Sequence, residues 1–342
     1  MEEGCFYMII DFSYTKRKID TVSGYIFKGR NYRCNYVRFQ SLYRNCAPGT
    51  ENVELYLFEP KKEVRASALI LHGLGSKNVK YILWLGPHLA NAGVSTSVLI
   101  LPGNYTRVEN KSVSGRSYLY PDMNIMYQFW EHGVVDTLST IDMLEQSGSW
   151  KENNIIAGYC LGGMISTIVG TIDNRINHLL FMTTGGHMPR ILHQSPATVF
   201  ARKMFEKGYN AKYSLNDKKS LYSIYDEQFP EIKKMSYSDI ITNEDIHPLF
   251  KIDPISYAHL LDMKKVTFID AYFDHTLPVL SRKILHDEMA NANTKVLPIS
   301  HVNWLPFGYF LAKYMLHKLN FNSKEAKKAL LAKEIIKNPL EK

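Results

Sequence analysis

A short apolar run closing on glycine, Asn153-Asn-Ile-Ile-Ala-Gly-Tyr-Cys160-Leu-Gly-Gly-Met, constrains this chain more than any other stretch. The run has the length and composition of a buried strand, and the small residues after it open a helix. Gly158 and Gly162 flank Cys160 at two residues on either side, so a strand can turn sharply into a helix with no side chain in the way. Gly163 lets that helix pack close to its strand. A turn of this kind holds the residue at its apex above the end of a sheet, where a reacting atom belongs. The helix to follow would set its positive end under the sulfur and favour negative charge there. Cysteine at the apex makes thiol chemistry the expectation rather than alcohol chemistry. The competing reading, a buried structural cysteine, leaves three glycines at these spacings unexplained.

A nucleophile on such a turn needs a base, an acid to orient the base, and donors for an oxyanion. Two backbone N–H groups are expected as donors, those of Leu161, directly after the nucleophile, and Leu74 in the post-strand turn His72-Gly-Leu-Gly75. For the acid, Phe268-Ile-Asp-Ala-Tyr-Phe-Asp274 runs off a strand into a loop before Pro278, and Asp274 sits where an orienting carboxylate belongs. Asp270 is its rival, nearer the strand. For the base, His301 follows the last strand and precedes the final core helix, and of twelve histidines it alone sits where the chain order nucleophile, acid, base puts it. His259, His275 and His286 read as surface or helix residues, and His72 as a brace for the oxyanion turn. Arg107 and Arg116, in a polar loop after a core strand, are candidates for a substrate anion, with a solvated or structural role as the alternative. His187, after Gly185-Gly186, would border the pocket. Asp136 and Asp142 read as surface or capping groups on a long helix.

Apolar runs alternate with helical stretches from Val53 onward, which predicts an α/β fold with a mostly parallel sheet covered on both faces. Strands are expected at 68–71, 97–101, 154–159, 176–183, 265–269 and 295–299, and a helix at about 123–146. Between 188 and 264 the pattern is amphipathic helix and polar turn, too long for a loop. The division expected is a helical or irregular segment over 1–50, a core over 51–187 and 265–322, a helical cap over 188–264, and a charged C-terminal helix over 323–342.

A net charge of +8 invites a nucleic-acid partner, yet the basic residues are interleaved with acids and form no stripe with aromatics, so none is expected. The four cysteines lack the paired spacing of a zinc site. No metal or organic cofactor is expected. Cys34 and Cys46 could pair, although reduced thiols in a cytoplasmic setting fit better. The acidic start and short apolar run at Met1–Asp11 do not read as an export signal, and no run is long enough to span a membrane.

Taken together, the elbow, Asp274 and His301 resemble the α/β-hydrolase superfamily over about residues 53–320. Gly-Tyr-Cys-Leu-Gly-Gly resembles the elbow of dienelactone hydrolases, whose nucleophile is cysteine, and the G-x-C-x-G-G box of polyhydroxyalkanoate synthases. Leu101-Pro102, Thr106-Arg107, Thr184-Gly-Gly186, Ser195-Pro196, Asp253-Pro-Ile-Ser-Tyr257 and Phe273-Asp274 are similar to bacterial hydrolases related to abhydrolase-domain-containing protein eighteen, which usually carry serine on the elbow. The resemblance implies a Cys160-His301-Asp274 triad hydrolysing a small-molecule ester, lactone or thioester. It also implies two alternatives: acyl transfer through the same cysteine, and a binding protein that keeps a relic triad.

Overall fold

The computed structural model describes residues 9–304 and 307–330. Two antiparallel strands, β1 (Val22–Lys28) and β2 (Tyr32–Gln40), occupy the segment where helix and loops were expected. The reason lies in the burial of β2. Its first half buries Tyr32 and Cys34 and its second half Val37 and Phe39, so the covered face changes midway and no clean period of two is left to read. The next strand, β3 (Asn52–Pro60), pairs antiparallel with β2 over its whole length.

From there strand and helix alternate as expected. The core opens with β4 (Ala66–Leu71), α1 (Lys80–Leu83), α2 (Leu85–Ala92) and β5 (Val94–Ile100). Next come α3 (Met123–Gln146), β6 (Asn154–Tyr159), α4 (Leu161–Ile172) and β7 (Leu179–Met182). The helix expected at 123–146 runs over that span, started by Asp122, whose carboxylate accepts the N–H of Asn124 at 2.9 Å. Four helices then follow with no strand among them: α5 (Met188–Gln194), α6 (Val199–Glu206), α7 (Lys218–Ile232) and α8 (Tyr237–Thr242). The chain returns through 3-10 turns to β8 (Val266–Phe273), α9 (Val279–Glu288), β9 (Asn293–Ser300), α10 (Gly308–Lys318) and α11 (Ser323–Leu330). The charged C-terminal helix is therefore described as far as Leu330, and its expected continuation to 342 lies outside the described residues.

The nine strands of the described residues form one sheet in the order β1-β2-β3-β5-β4-β6-β7-β8-β9. From β5 to β9 every neighbouring pair is parallel. The order sets β6 inside the sheet, with β4 and β7 beside it, so the carboxyl ends of these strands meet where a site is expected in such sheets. Asp253 joins the two ends of the helical insertion. Its carboxylate accepts the N–H of His187 at 2.8 Å, where the insertion begins, that of Ile255 at 3.2 Å near its end, and the hydroxyl of Tyr225 on α7 at 3.1 Å. Burial nevertheless pushes the Asp253 carboxyl up to about 6.

Asp136, expected at the surface, is fully buried on α3 and holds Arg107 at 2.6 Å and His132 at 3.1 Å. The same guanidinium donates to the carbonyls of Thr50 at 2.7 Å and Ile100 at 2.8 Å, tying the loop after β5 to the helix. Asp142 is likewise buried rather than exposed, between Arg175 and Tyr14, each at 2.6 Å. Burial alone would raise the Asp136 carboxyl. The charges of His132 and Arg107 outweigh it and hold the group down at about 2. A lowered folded value stabilises above the ordinary carboxylate range and loses that contribution as pH falls toward 2. Asp136→Asn leaves Arg107 buried beside a neutral amide, and a loss of about 3–5 kcal/mol is expected in urea unfolding. An unchanged unfolding midpoint would show that the pair adds nothing.

Candidate active site

Cys160 stands between β6 and α4 with φ at +52°, in the left-handed region that a side chain rarely enters. The turn closes because its neighbours are glycine. A Cβ on Gly158 would come within 2.4 Å of the Gly162 carbonyl, and one on Gly162 within 2.4 Å of the Leu71 carbonyl. A Cβ on Gly163 would fall 1.9 Å from the Thr184 hydroxyl, so strand end and helix could not approach as they do.

Beside Cys160 the structure brings His301, from the loop after β9, and Asp274, from the loop after β8. The His301 Nδ1 lies 2.7 Å from Asp274 Oδ2, and the imidazole lines the same pocket as Cys160. Asp274 Oδ1 accepts the N–H groups of Thr276 at 2.7 Å and Leu277 at 3.0 Å, which fixes the carboxylate. Burial works against charge on both residues. In Asp274 the bond to His301 and the two N–H donors outweigh burial and hold the carboxyl below its usual range. In His301 the electrostatic interaction with Cys160 and the bond to Asp274 outweigh it and push the imidazole up to about 10. Asp270, the rival acid, is taken by Arg282 of α9.

The turn 72–75 is pinned on each side of Leu74. Gly73 N–H donates to the Tyr81 hydroxyl at 3.2 Å and Gly75 N–H to Asn104 Oδ1 at 2.9 Å. His72 braces the turn from below. Its Nδ1 meets the Gly73 carbonyl at 2.8 Å, and its Nε2 accepts the Leu101 N–H at 3.0 Å. That acceptor role requires a neutral ring, and burial pushes this imidazole down to about 4. From the start of α4, Gly162 N–H donates to the His72 carbonyl at 3.1 Å. Among the described residues no acceptor engages the N–H of Leu74 or of Leu161, and both residues line the pocket over Cys160.

Three residues expected near substrate lie elsewhere. Arg107 is buried in its pair with Asp136. Arg116 lies over the Phe200 ring of α6 at 4.8 Å, where it packs a loop against the insertion. The His187 ring lies tilted against that of Tyr225, centroids 4.9 Å apart, beside a separate hollow, and burial pushes its imidazole down to about 4. Two residues not anticipated do serve the site. The His301 carbonyl accepts from the Tyr159 hydroxyl and, at 2.8 Å, from Trp304 Nε1, so the loop carrying the imidazole is held at its backbone. Tyr159 occupies the variable position inside the elbow, and Trp304 follows His301 by three, so proximity in sequence was the one available signal. Cys34, Cys46 and Cys160 are free thiols, so the Cys34–Cys46 bridge does not form. Among the described residues no cluster of His, Cys, Asp or Glu could hold a metal ion, and no helix is long and apolar enough to cross a membrane.

No protein-family model and no curated protein matches the chain by sequence. Solved structures do resemble it. An acetyl xylan esterase from Paenibacillus sp. R4 superposes with a TM-score of 0.61 at 13% identity, over 89% of each chain. Acetyl xylan esterase 1 from Thermoanaerobacterium sp. JW/SL YS485 gives a TM-score of 0.54 at 15% identity, again over 89% of each chain. The acylaminoacyl peptidase of Pyrococcus horikoshii gives 0.55 at 12% identity, over 88% of this chain and 44% of the peptidase. At such identities the likeness speaks for architecture alone, and the architecture is that of the α/β-hydrolase fold.

Proposed function

We propose that this chain is a hydrolase of small-molecule acyl compounds (esters, lactones or thioesters) with Cys160 as nucleophile, His301 as acid and base, and Asp274 as the group that orients His301. The observation that carries the reading is Cys160 itself. A cysteine held at a left-handed φ on a strand-to-helix turn, beside a histidine paired with a buried carboxylate, has no structural need to be there. Cys160 sulfur attacks the acyl carbon, and the carbonyl oxygen takes the negative charge between the N–H groups of Leu74 and Leu161. The intermediate collapses as His301 gives its proton to the leaving atom, which leaves the acyl group on sulfur. Water, losing a proton to His301, then attacks that thioester and frees the acid and the thiolate. The helical insertion between β7 and β8 is the cap under this reading, since Ile191, Ser195 and Ala197 close one side of the pocket. Two of the similar structures are acetyl xylan esterases, which agrees with it.

Mixing the protein with a p-nitrophenyl ester or a thioester and quenching in acid is expected to leave one acyl group on Cys160, read by intact mass and peptide mapping. Free acid as the sole product separates hydrolysis from transfer to an added alcohol or thiol. Turnover with no adduct on Cys160 would overturn the mechanism.

A further inference from the structure

The lining of the pocket limits what can be placed on Cys160. A cavity of about 460 Å³ lies over the sulfur, within the usual size of small-molecule sites. Its buried walls come from Leu119, Trp130 on α3, Met164 on α4, Ile191 on α5 and Leu277. The polar groups that reach these walls are already engaged by the protein. The Trp130 Nε1 donates to the Tyr118 carbonyl at 3.0 Å, and the Ser195 hydroxyl donates to the Thr276 carbonyl at 2.7 Å. The Tyr159 hydroxyl is bound to the His301 carbonyl, and that of Tyr81 takes the Gly73 N–H and meets Ser76 at 3.1 Å. Thr276 is half-buried and keeps contact with solvent, while Lys77 and Asn78 are exposed and mark the mouth. A polar acyl group set against the buried walls would lose its water and find no free partner there, the polar groups that stay open lying toward the mouth. An apolar chain meets no such cost and gains from burial.

The sulfur narrows the other half of the substrate. When Cys160 attacks an acyl carbon, the intermediate can expel either Cys160 or the substrate's own leaving atom. A thiol leaving group matches cysteine in acidity, at about 8.5, so forward collapse competes with return. An alkoxide is the anion of a far weaker acid and departs only as His301 protonates it, so return competes more strongly and thioesters hold the advantage. Resting on the hydrolase reading above, we propose that the site takes thioesters of apolar acyl chains. The substrate's C–S bond breaks as the bond to Cys160 sulfur forms. The departing sulfur keeps the electron pair and takes the proton from His301, and water completes the cycle as already described.

Measuring kcat/KM for straight-chain acyl thioesters from acetyl to decanoyl, each beside the ethyl ester of the same acid, tests both halves. Rates are expected to climb about three- to fourfold per added methylene until the cavity is filled, or roughly a hundredfold from acetyl to hexanoyl. Each thioester is expected to exceed its ethyl ester on the order of a hundredfold or more. Met164→Phe narrows the cavity and is expected to move the optimum to shorter chains; an optimum that stays put in a folded variant takes the acyl chain off this wall and overturns its assignment. Rates that are flat or fall with chain length, or ethyl esters turned over as fast as thioesters, overturn the proposal and leave hydrolysis by Cys160 standing. No turnover of any member, together with no acyl adduct on Cys160, overturns the hydrolase reading and this proposal with it.

Discussion

Replacing Cys160 by alanine is expected to lower kcat/KM by at least about 10⁴-fold while circular dichroism and the unfolding midpoint stay near wild type. The fold should tolerate the change because the turn is shaped by Gly158 and Gly162, not by the thiol. The same variant offers a second readout that a merely structural cysteine would not move. Burial disfavours the His301 imidazolium, and the electrostatic interaction with Cys160 is the largest influence acting the other way, ahead of the bond to Asp274. With that interaction gone, the imidazole is expected to titrate well below about 10, as followed by its ring-proton resonances. A His301 titration unchanged between wild type and Cys160→Ala would mean that the two side chains are not coupled, and the mechanism would fail with it.

How far the site could be read without coordinates depended on whether a signal was local. The elbow was legible because its constraint is local: the strand, the glycines and the helix start fall within a dozen residues. His301 and Asp274 were legible by order, each at a strand end in an alternating pattern. What escaped notice was non-local or mixed in phase. Strand β2 changes its buried face between Cys34 and Val37, which erases the alternation that marks a strand. Asp136 sits on a helix that is buried on nearly all sides, so a polar residue there reads as solvated until Arg107, twenty-nine positions earlier, is seen to meet it. The support of His301 by Tyr159 is of the same kind, a hydrogen bond between residues far apart in the chain. Arg107 illustrates the converse error: arginine in a polar loop suggested an anion, whereas its anion is the protein's own.

Asp274→Asn is expected to cost about 10⁴-fold in kcat with a small change in KM, because an amide in that place favours the wrong imidazole tautomer. In the native pair Asp274 Oδ2 accepts from His301 Nδ1, which directs the other nitrogen to Cys160. An amide that presents its NH₂ group there reverses the donor, and one that presents its oxygen supplies no charge. The pH dependence follows from two shifts of opposite sign. His301 is raised to about 10, so its charged form stabilises the fold fully below its ordinary 6.5 and that contribution fades as pH rises through about 10. Asp274 is lowered, so its contribution is present above its ordinary 3.8 and fades as pH falls below it. The pair therefore spans neutral pH, and the imidazolium should be available to protonate a leaving group throughout it. In Asp274→Asn the bond and the charge that Asp274 contributes to raising His301 are lost while the influence of Cys160 stays, so the alkaline limb of the rate profile is expected to move part of the way to lower pH. A profile that keeps its alkaline limb while kcat falls would assign Asp274 to packing rather than to holding the base. Loss of activity together with a lowered unfolding midpoint and an unmoved limb would say the same.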